Sequence, residues 1–140
     1  MLLKAKAEHK YIFVDVYATW CVPCKKMDAE IYPDAKVGDV INDAFVAVKI
    51  QFDQTAKDDA YTRGWYADAK MLNDSFRVQG YPSFLFFAPD GLFIHRGIGY
   101  KGADEFVAMA RFALEPARLE YAKRMKDYAN GVRIMLPCPR

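Results

Sequence analysis

Two cysteines two residues apart, where an apolar run gives way to a polar helical one, constrain this chain more than any other feature: Trp20-Cys21-Val22-Pro23-Cys24-Lys25. A C-x-x-C pair opening a helix is a compact dithiol that can close into a disulfide. Its first thiolate is stabilised by unpaired backbone N–H groups and the helix dipole, by about 0.3–1 kcal/mol at an exposed site. On this reading Cys21 attacks, and Cys24, one turn inside the helix and less exposed, resolves the mixed disulfide. The same spacing is half of a structural zinc site, yet the remaining candidate ligands, Cys138, His9 and His95, are unpaired in sequence. Inert buried thiols are the other alternative. A tryptophan before the first cysteine and a proline before the second suit a loop and a helix start, which core packing does not require.

The rest of the chain must supply a scaffold. Its 140 residues, 53% hydrophobic and 15% aromatic, suffice for one core. No apolar run approaches the roughly 20 residues of a transmembrane helix, so the chain reads as soluble. A net charge of +2, from 20 basic and 18 acidic residues without a dense Lys/Arg cluster, argues against a nucleic-acid surface. Neither a P-loop nor a G-x-G-x-x-G is present to bind phosphate. Met1 to Lys10 holds good helix formers without the apolar stretch of a signal peptide, which implies either a mature start near here or a cytosolic protein.

Tyr11 to Tyr17, YIFVDVY, suits a strand buried on both faces of a parallel sheet. Asp15 stands in its middle, where a buried carboxylate is costly unless paired or protonated. Two readings are open: Asp15 faces water on an edge strand, or it lies beneath Cys24 as a general acid/base. Lys25 to Tyr32 is helical, with Met27 and Ile31 as an apolar i, i+4 pair, and Pro33-Asp34 interrupts it. A helix over about Ala35 to Asn42 turns Val37, Val40 and Ile41 inward. Phe45 to Phe52, FVAVKIQF, is a second buried-type strand, so strand, helix, strand predicts a parallel pair with a right-handed crossover. Lys49 inside it either snorkels to the sheet edge or partners Asp15.

Asp53 to Met71 is polar, with Tyr61, Trp65 and Tyr66, and Gly64 breaks any long helix there. Asn73 to Val78 ends a helix leading to Gly80-Tyr81-Pro82. Ser83 to Ala88 is a strand, Pro89-Asp90-Gly91 a turn, and Leu92 to Tyr100 the antiparallel partner, with His95 a surface strand residue. Gly102 to Leu114 is an amphipathic helix burying Phe106, Met109, Ala110 and Ala113. The class is α/β.

Over about Lys10 to Leu114 the chain resembles the thioredoxin-fold family. The resemblance rests on VDVYATWCVPCK, on Lys49 four residues before Asp53, on GYPSFLFF, on the PDG turn and on GIGY. CKKMDAEIYPDAKVGDVINDAFVAVKIQFD is similar to the thioredoxin-like, Dsb-type subgroup of bacterial disulfide-handling proteins. The resemblance implies a three-layer fold, a central mixed sheet flanked by helices, over residues 1–114; it ends there, and 115–140 reads from its own residues as a C-terminal helical extension and tail. It implies Cys21 as nucleophile, Cys24 as resolving thiol, and Asp15 with Lys49 as a buried pair that moves a proton at Cys24. Trp20 then flanks the site, Pro82 is a cis-proline facing the dithiol, the Tyr81 backbone pairs with a substrate strand, and Gly99 keeps the groove edge small.

Several features depart from thioredoxin. Val22 replaces its glycine, and no histidine stands at Val22 or Pro23, so a weaker thiolate than in strong Dsb oxidants is expected, which favours a reductant or isomerase. Thr55 to Ala69 is longer than thioredoxin's connection. The 20 residues before Cys21 are too few for thioredoxin's opening strand and helix, leaving one sheet edge bare or differently covered. Ala117 to Ala129 is expected to turn Leu119, Ala122, Met125 and Ala129 toward the domain and to stop at Gly131. Cys138 is then a bystander, an intermolecular disulfide partner or a regulatory contact.

The expectation is a monomeric thiol:disulfide oxidoreductase acting on protein substrates, reset by an upstream redox partner, needing no cofactor, with no nucleic acid or membrane insertion involved. The resemblance places it in the bacterial periplasm or envelope, with the cytoplasm as alternative. Two other functions compete: a protein-binding or chaperone module with a non-catalytic dithiol, and metal handling through Cys21 and Cys24.

Overall fold

A computed structural model describes residues 2–131. Helix α1 (Leu2–Glu8) leads into β1 (Tyr11–Tyr17), and α2 (Val22–Lys26) continues directly into a π-helical turn (Met27–Ile31). Next come α3 (Ala35–Ala44), β2 (Phe45–Gln51), α4 (Ala60–Arg63) and α5 (Tyr66–Phe76). The chain then forms β3 (Ser83–Phe87), β4 (Phe93–Ile98), α6 (Ala103–Ala113) and α7 (Pro116–Ala129). Cys138 lies outside the described residues.

The breaks are where the side chains demand them. Asp34 caps α3 by accepting from Lys36 N–H at 2.9 Å. Gly64 closes α4, and Gly91 turns the β3–β4 hairpin at φ +92°, a conformation open to glycine.

The sheet order is β2-β1-β3-β4, with β1 and β2 parallel and the other pairs antiparallel. β1 and β3 are central, and their apolar runs are buried on both faces. Phe13, Phe84 and Phe86 face α3 and α6, where Phe13 meets Phe106 edge-on with centroids 5.5 Å apart. Val14, Val16, Leu85 and Phe87 face the other way, onto Ala5 of α1 and Ala69 and Leu72 of α5. Three layers result.

Three expectations are corrected. β2 is an edge strand, not one buried on both faces: Ala47 and Lys49 are exposed. Among the described residues no strand takes its outer side, and α1 packs against β1 and β2 instead. In α7, Leu119 and Ala122 pack on the core but Met125 and Ala129 are exposed. Only the first turns of α7 lie against the domain, where Arg118 donates to Ile94 C=O at 2.9 Å. Its guanidinium also covers Phe112 and Tyr121. His95 is on β4 but half-buried between Phe86 and Phe112.

Candidate active site

The functional side chains converge where β1 runs out into α2. Cys21 is the N-cap of α2, its Sγ accepting from Cys24 N–H at 3.1 Å, and Pro23 sits in the first turn, where a missing N–H costs nothing. Cys21 and Cys24 are joined by a disulfide, Cα to Cα 5.3 Å. The expected order of exposure is not found: Cys21 is 2% exposed and Cys24 5%. Both pack with Ala18 against Tyr17 and Tyr81, while the flanking Trp20 and Val22 stand out at 67% and 72%.

Asp53, just past the end of β2, clamps the loop before the dithiol. Its carboxylate accepts Thr19 N–H at 2.9 Å and the Thr19 hydroxyl. In the sequence, Asp53 has only a place in a pattern, four residues after Lys49. Its role needs the parallel β1–β2 register, which ends Tyr17 beside Gln51 and so brings Thr19 to Asp53.

Tyr81, which packs against the dithiol, precedes Pro82 through a cis peptide bond, and Pro82 is fully buried. The Tyr81 ring packs edge-on against Trp20 and Phe52, at 5.6 and 6.2 Å between centroids. Gly99 N–H donates to Pro82 C=O at 2.8 Å. Gly99 has φ +85° and nothing within 4 Å of where a Cβ would stand, so its backbone conformation favours glycine without any clash inside the chain.

Asp15 is 3% exposed on a central strand, which removes the edge-strand reading. Burial pushes its carboxyl up to about 6, against the lowering effects of Lys49 and Tyr32 and with a further raising effect from Asp28. The phenol of Tyr32 is near enough to act on it, yet neither Asp15 Oδ1 nor Tyr32 Oη closes a hydrogen bond among the described residues. Lys49 stands opposite Asp15 in register, but its Nζ lies on Asp28, 2.7 and 2.8 Å from the two oxygens, and over the Tyr17 ring. The buried Asp15–Lys49 pair is therefore corrected: the head of Lys49 reaches the surface on Asp28, and only its charge acts on Asp15. Asp15, Asp28, Tyr32 and Lys49 line one cavity of about 390 Å³; Cys24 is not among its lining residues. Asp28 and Tyr32 escaped the sequence reading, although Asp28 stands four residues after Cys24.

The segment after β2 is fixed to the sheet by Asp58. It accepts from Gln51 Nε2 at 3.0 Å, from Thr55 N–H at 2.9 Å and hydroxyl at 2.5 Å, and from Tyr66 hydroxyl. These bonds hold its carboxyl well below the usual range.

Among the described residues no group of three or more His, Cys, Asp or Glu is placed to hold a metal ion, and no helix is long and apolar enough to cross a membrane.

A mixed sheet between helical layers, a C-x-x-C disulfide opening the helix after β1 and a cis-proline entering β3 define a thioredoxin-fold protein. The chain belongs to the thioredoxin-like domain family, whose model matches residues 1–114. It is 32% identical over 113 residues to the thiol:disulfide interchange protein DsbD of Pseudoalteromonas atlantica, covering 79% of this chain and 17% of that protein. To DsbD of Ralstonia nicotianae it is 33% identical over 115 residues, covering 81% and 17%. The chain therefore spans 17% of the length of these curated relatives. Among solved structures, a putative disulphide-isomerase from Bacteroides thetaiotaomicron superposes with a TM-score of 0.65 at 28% identity, over 82% of this chain and 85% of that one. The oxidised C-terminal domain of Neisseria meningitidis DsbD gives 0.59 at 22% identity, over 80% and 89%, a likeness of fold.

Proposed function

We propose that this chain is a thiol:disulfide oxidoreductase for protein substrates, working as a reductase or isomerase through Cys21 and Cys24. The observation that carries the reading is the Cys21–Cys24 disulfide at the N-cap of α2, packed against Tyr81 of a cis-proline loop. The disulfide is the oxidised end of the cycle.

In the reduced form, the Cys21 thiolate attacks a substrate disulfide, forming a Cys21–substrate disulfide and releasing the other substrate sulfur as thiolate. Cys24 then loses its proton and attacks the Cys21 sulfur, which re-forms the internal disulfide and releases the second substrate thiolate. Two electrons pass from the dithiol to the substrate, and the released thiolates take up two protons. An upstream dithiol donor restores the pair, and no step needs a bound cofactor.

Helix-terminal N–H groups stabilise the Cys21 thiolate. Asp15 is the acceptor for the Cys24 proton, and the Asp28–Lys49 pair tunes it. Since Cys24 does not line the Asp15 cavity, that transfer runs through an intervening water or after a small movement. Trp20, Tyr81, Pro82 and Gly99 form the groove, with the Tyr81 backbone pairing with the substrate strand. The absence of a cation at Val22 and Pro23 favours reductase or isomerase over oxidase. We place the protein in the bacterial envelope as a monomer, its exchange domain spanning 1–114 with 115–140 as an extension.

The test is the equilibrium potential of the Cys21/Cys24 pair against glutathione, with Cys24→Ser to trap adducts. A low two-electron potential and a Cys21 adduct support the reductase; a high one moves the reading toward isomerase or oxidase. A pair that never interconverts and forms no adduct leaves a protein-binding module in its place.

A further inference from the structure

Beside the cis-proline loop lies a second cavity, of about 110 Å³, that the exchange chemistry does not use. Three aromatic rings line it, Phe52, Tyr66 and Tyr81, together with the amide side chains of Gln51, Gln54 and Asn73. Tyr81 is the residue before the cis-proline, so the cavity adjoins the backbone on which a substrate strand would pair.

Its walls are fixed in advance. Asp58 ties Gln51 at the end of β2 to Thr55 and to Tyr66 at the start of α5. Asn73 Oδ1 is held by Val78 N–H at 3.1 Å. A preformed wall spares the ordering cost that a mobile one would charge against binding.

The charges around it decide what it fits. Lys70 also lines the cavity, but its Nζ is 2.6 Å from Asp74 Oδ2, so that pair is neutral as a whole. Asp58 lies behind Tyr66 and Gln51, and the charge of Asp53 acts on the Tyr81 hydroxyl; Arg63 acts on Tyr66 in the opposite sense, which leaves the carboxylates in excess. With both amide hydrogens of Gln51 turned to Asp58 and the Asp53 carbonyl, its amide oxygen is the atom left to accept. A chiefly polar lining with an amide oxygen, phenol oxygens and two nearby carboxylates suits a cation and disfavours an anion.

We propose that this cavity is a specificity subsite for a lysine or arginine side chain on the substrate strand exchanging at Cys21. The proposal rests on the oxidoreductase reading and adds its substrate preference.

The experiment compares exchange of the full chain with peptide disulfides carrying lysine, arginine, norleucine or glutamate at each of the two positions on either side of the cysteine. Hydroxyethyl disulfide, too small to reach the cavity, serves as reference. At one or more positions, basic peptides should exceed glutamate peptides by about fivefold to tenfold in kcat/KM, mostly through KM, with the ratio shrinking as salt rises. Gln54 is exposed, so Gln54→Lys and Gln54→Glu should both fold. The first should bring the lysine-to-glutamate ratio near one and the second should raise it; a general loss of activity moves neither ratio. Rates independent of charge at every position, or a ratio that ignores both variants, overturn the subsite while hydroxyethyl disulfide turnover leaves the oxidoreductase intact. Inactivity toward all disulfides overturns both.

Discussion

Lys49 stands opposite Asp15 in the β1–β2 register, yet gives its ammonium to Asp28, 2.7 Å away on the turn that follows the dithiol helix. The buried carboxylate is thus left with the field of a cation that another carboxylate holds. Because Lys49 and Asp28 are both half-exposed, their pair adds only about 0–1 kcal/mol to stability. Its larger effect is on Asp15, whose carboxyl Lys49 pulls down and Asp28 pushes up. Lys49→Met should raise the Asp15 titration midpoint and Asp28→Asn should lower it, as read from the carboxyl carbon by NMR. Shifts in the same direction would remove the pair from the control of Asp15.

Asp15 should also make stability depend on pH, with an unusual sign. Between pH 3.8 and about 6 the folded chain keeps a proton that the unfolded chain has released, so stability falls as pH rises through that window. The loss approaches about 3 kcal/mol above pH 6. Asp15→Asn should be more stable than the parent by up to that amount at pH 8, with the gap closing by about pH 4. Urea denaturation of both proteins across pH 4–8 measures the gap, and a constant difference would contradict the buried charge.

The same group governs the proposed resolution step. With Asp15 protonated below about pH 6, Cys24 loses its acceptor, so single-turnover decay of the Cys21 mixed disulfide should slow there. Asp15→Asn should be slow at all pH values and lack that inflection. An inflection that persists in the variant would assign it to another group.

Asp53 should matter more to exchange than to folding. Its two bonds from Thr19 lie at the exposed end of the sheet, so Asp53→Ala should cost about 1 kcal/mol of stability. It should slow protein disulfide exchange several-fold by freeing the loop before Cys21. Unchanged exchange kinetics would show that the loop needs no clamp.

Two glycines on or just after β4 should fail for different reasons. Gly99→Ala should cost about 1–2 kcal/mol from its φ of +85° alone. Gly97→Ala should cost about 1–3 kcal/mol because its Cβ would collide with Met109 Sδ in the core. In double-mutant cycles Met109→Ala should offset part of the Gly97 cost and none of the Gly99 cost. Coupling of Met109 to Gly99 would overturn the distinction.

Local patterns were enough for the dithiol at a helix start, the parallel β1–β2 pair, the hairpin turn at Gly91 and the capped break at Asp34, because each is dictated by neighbours in the chain. The cis peptide bond at Tyr81–Pro82 followed from the resemblance carried by GYPSFLFF and not from local patterning. What neighbours cannot determine is which strand lies at an edge and where a long side chain ends. FVAVKIQF reads as doubly buried, but no strand among the described residues covers its outer side, so Lys49 could reach outward to Asp28. Likewise α7 has an apolar stripe longer than the surface it meets, which leaves Met125 exposed. The clamp of Asp53 on Thr19, the hub at Asp58 and the cavity beside Tyr81 join residues brought together only by the packed sheet. Helix capping, turns and strand periodicity are short-range and therefore written in sequence; burial, charge pairing across strands and cavities are properties of three-dimensional neighbours, and only the tertiary structure decided them.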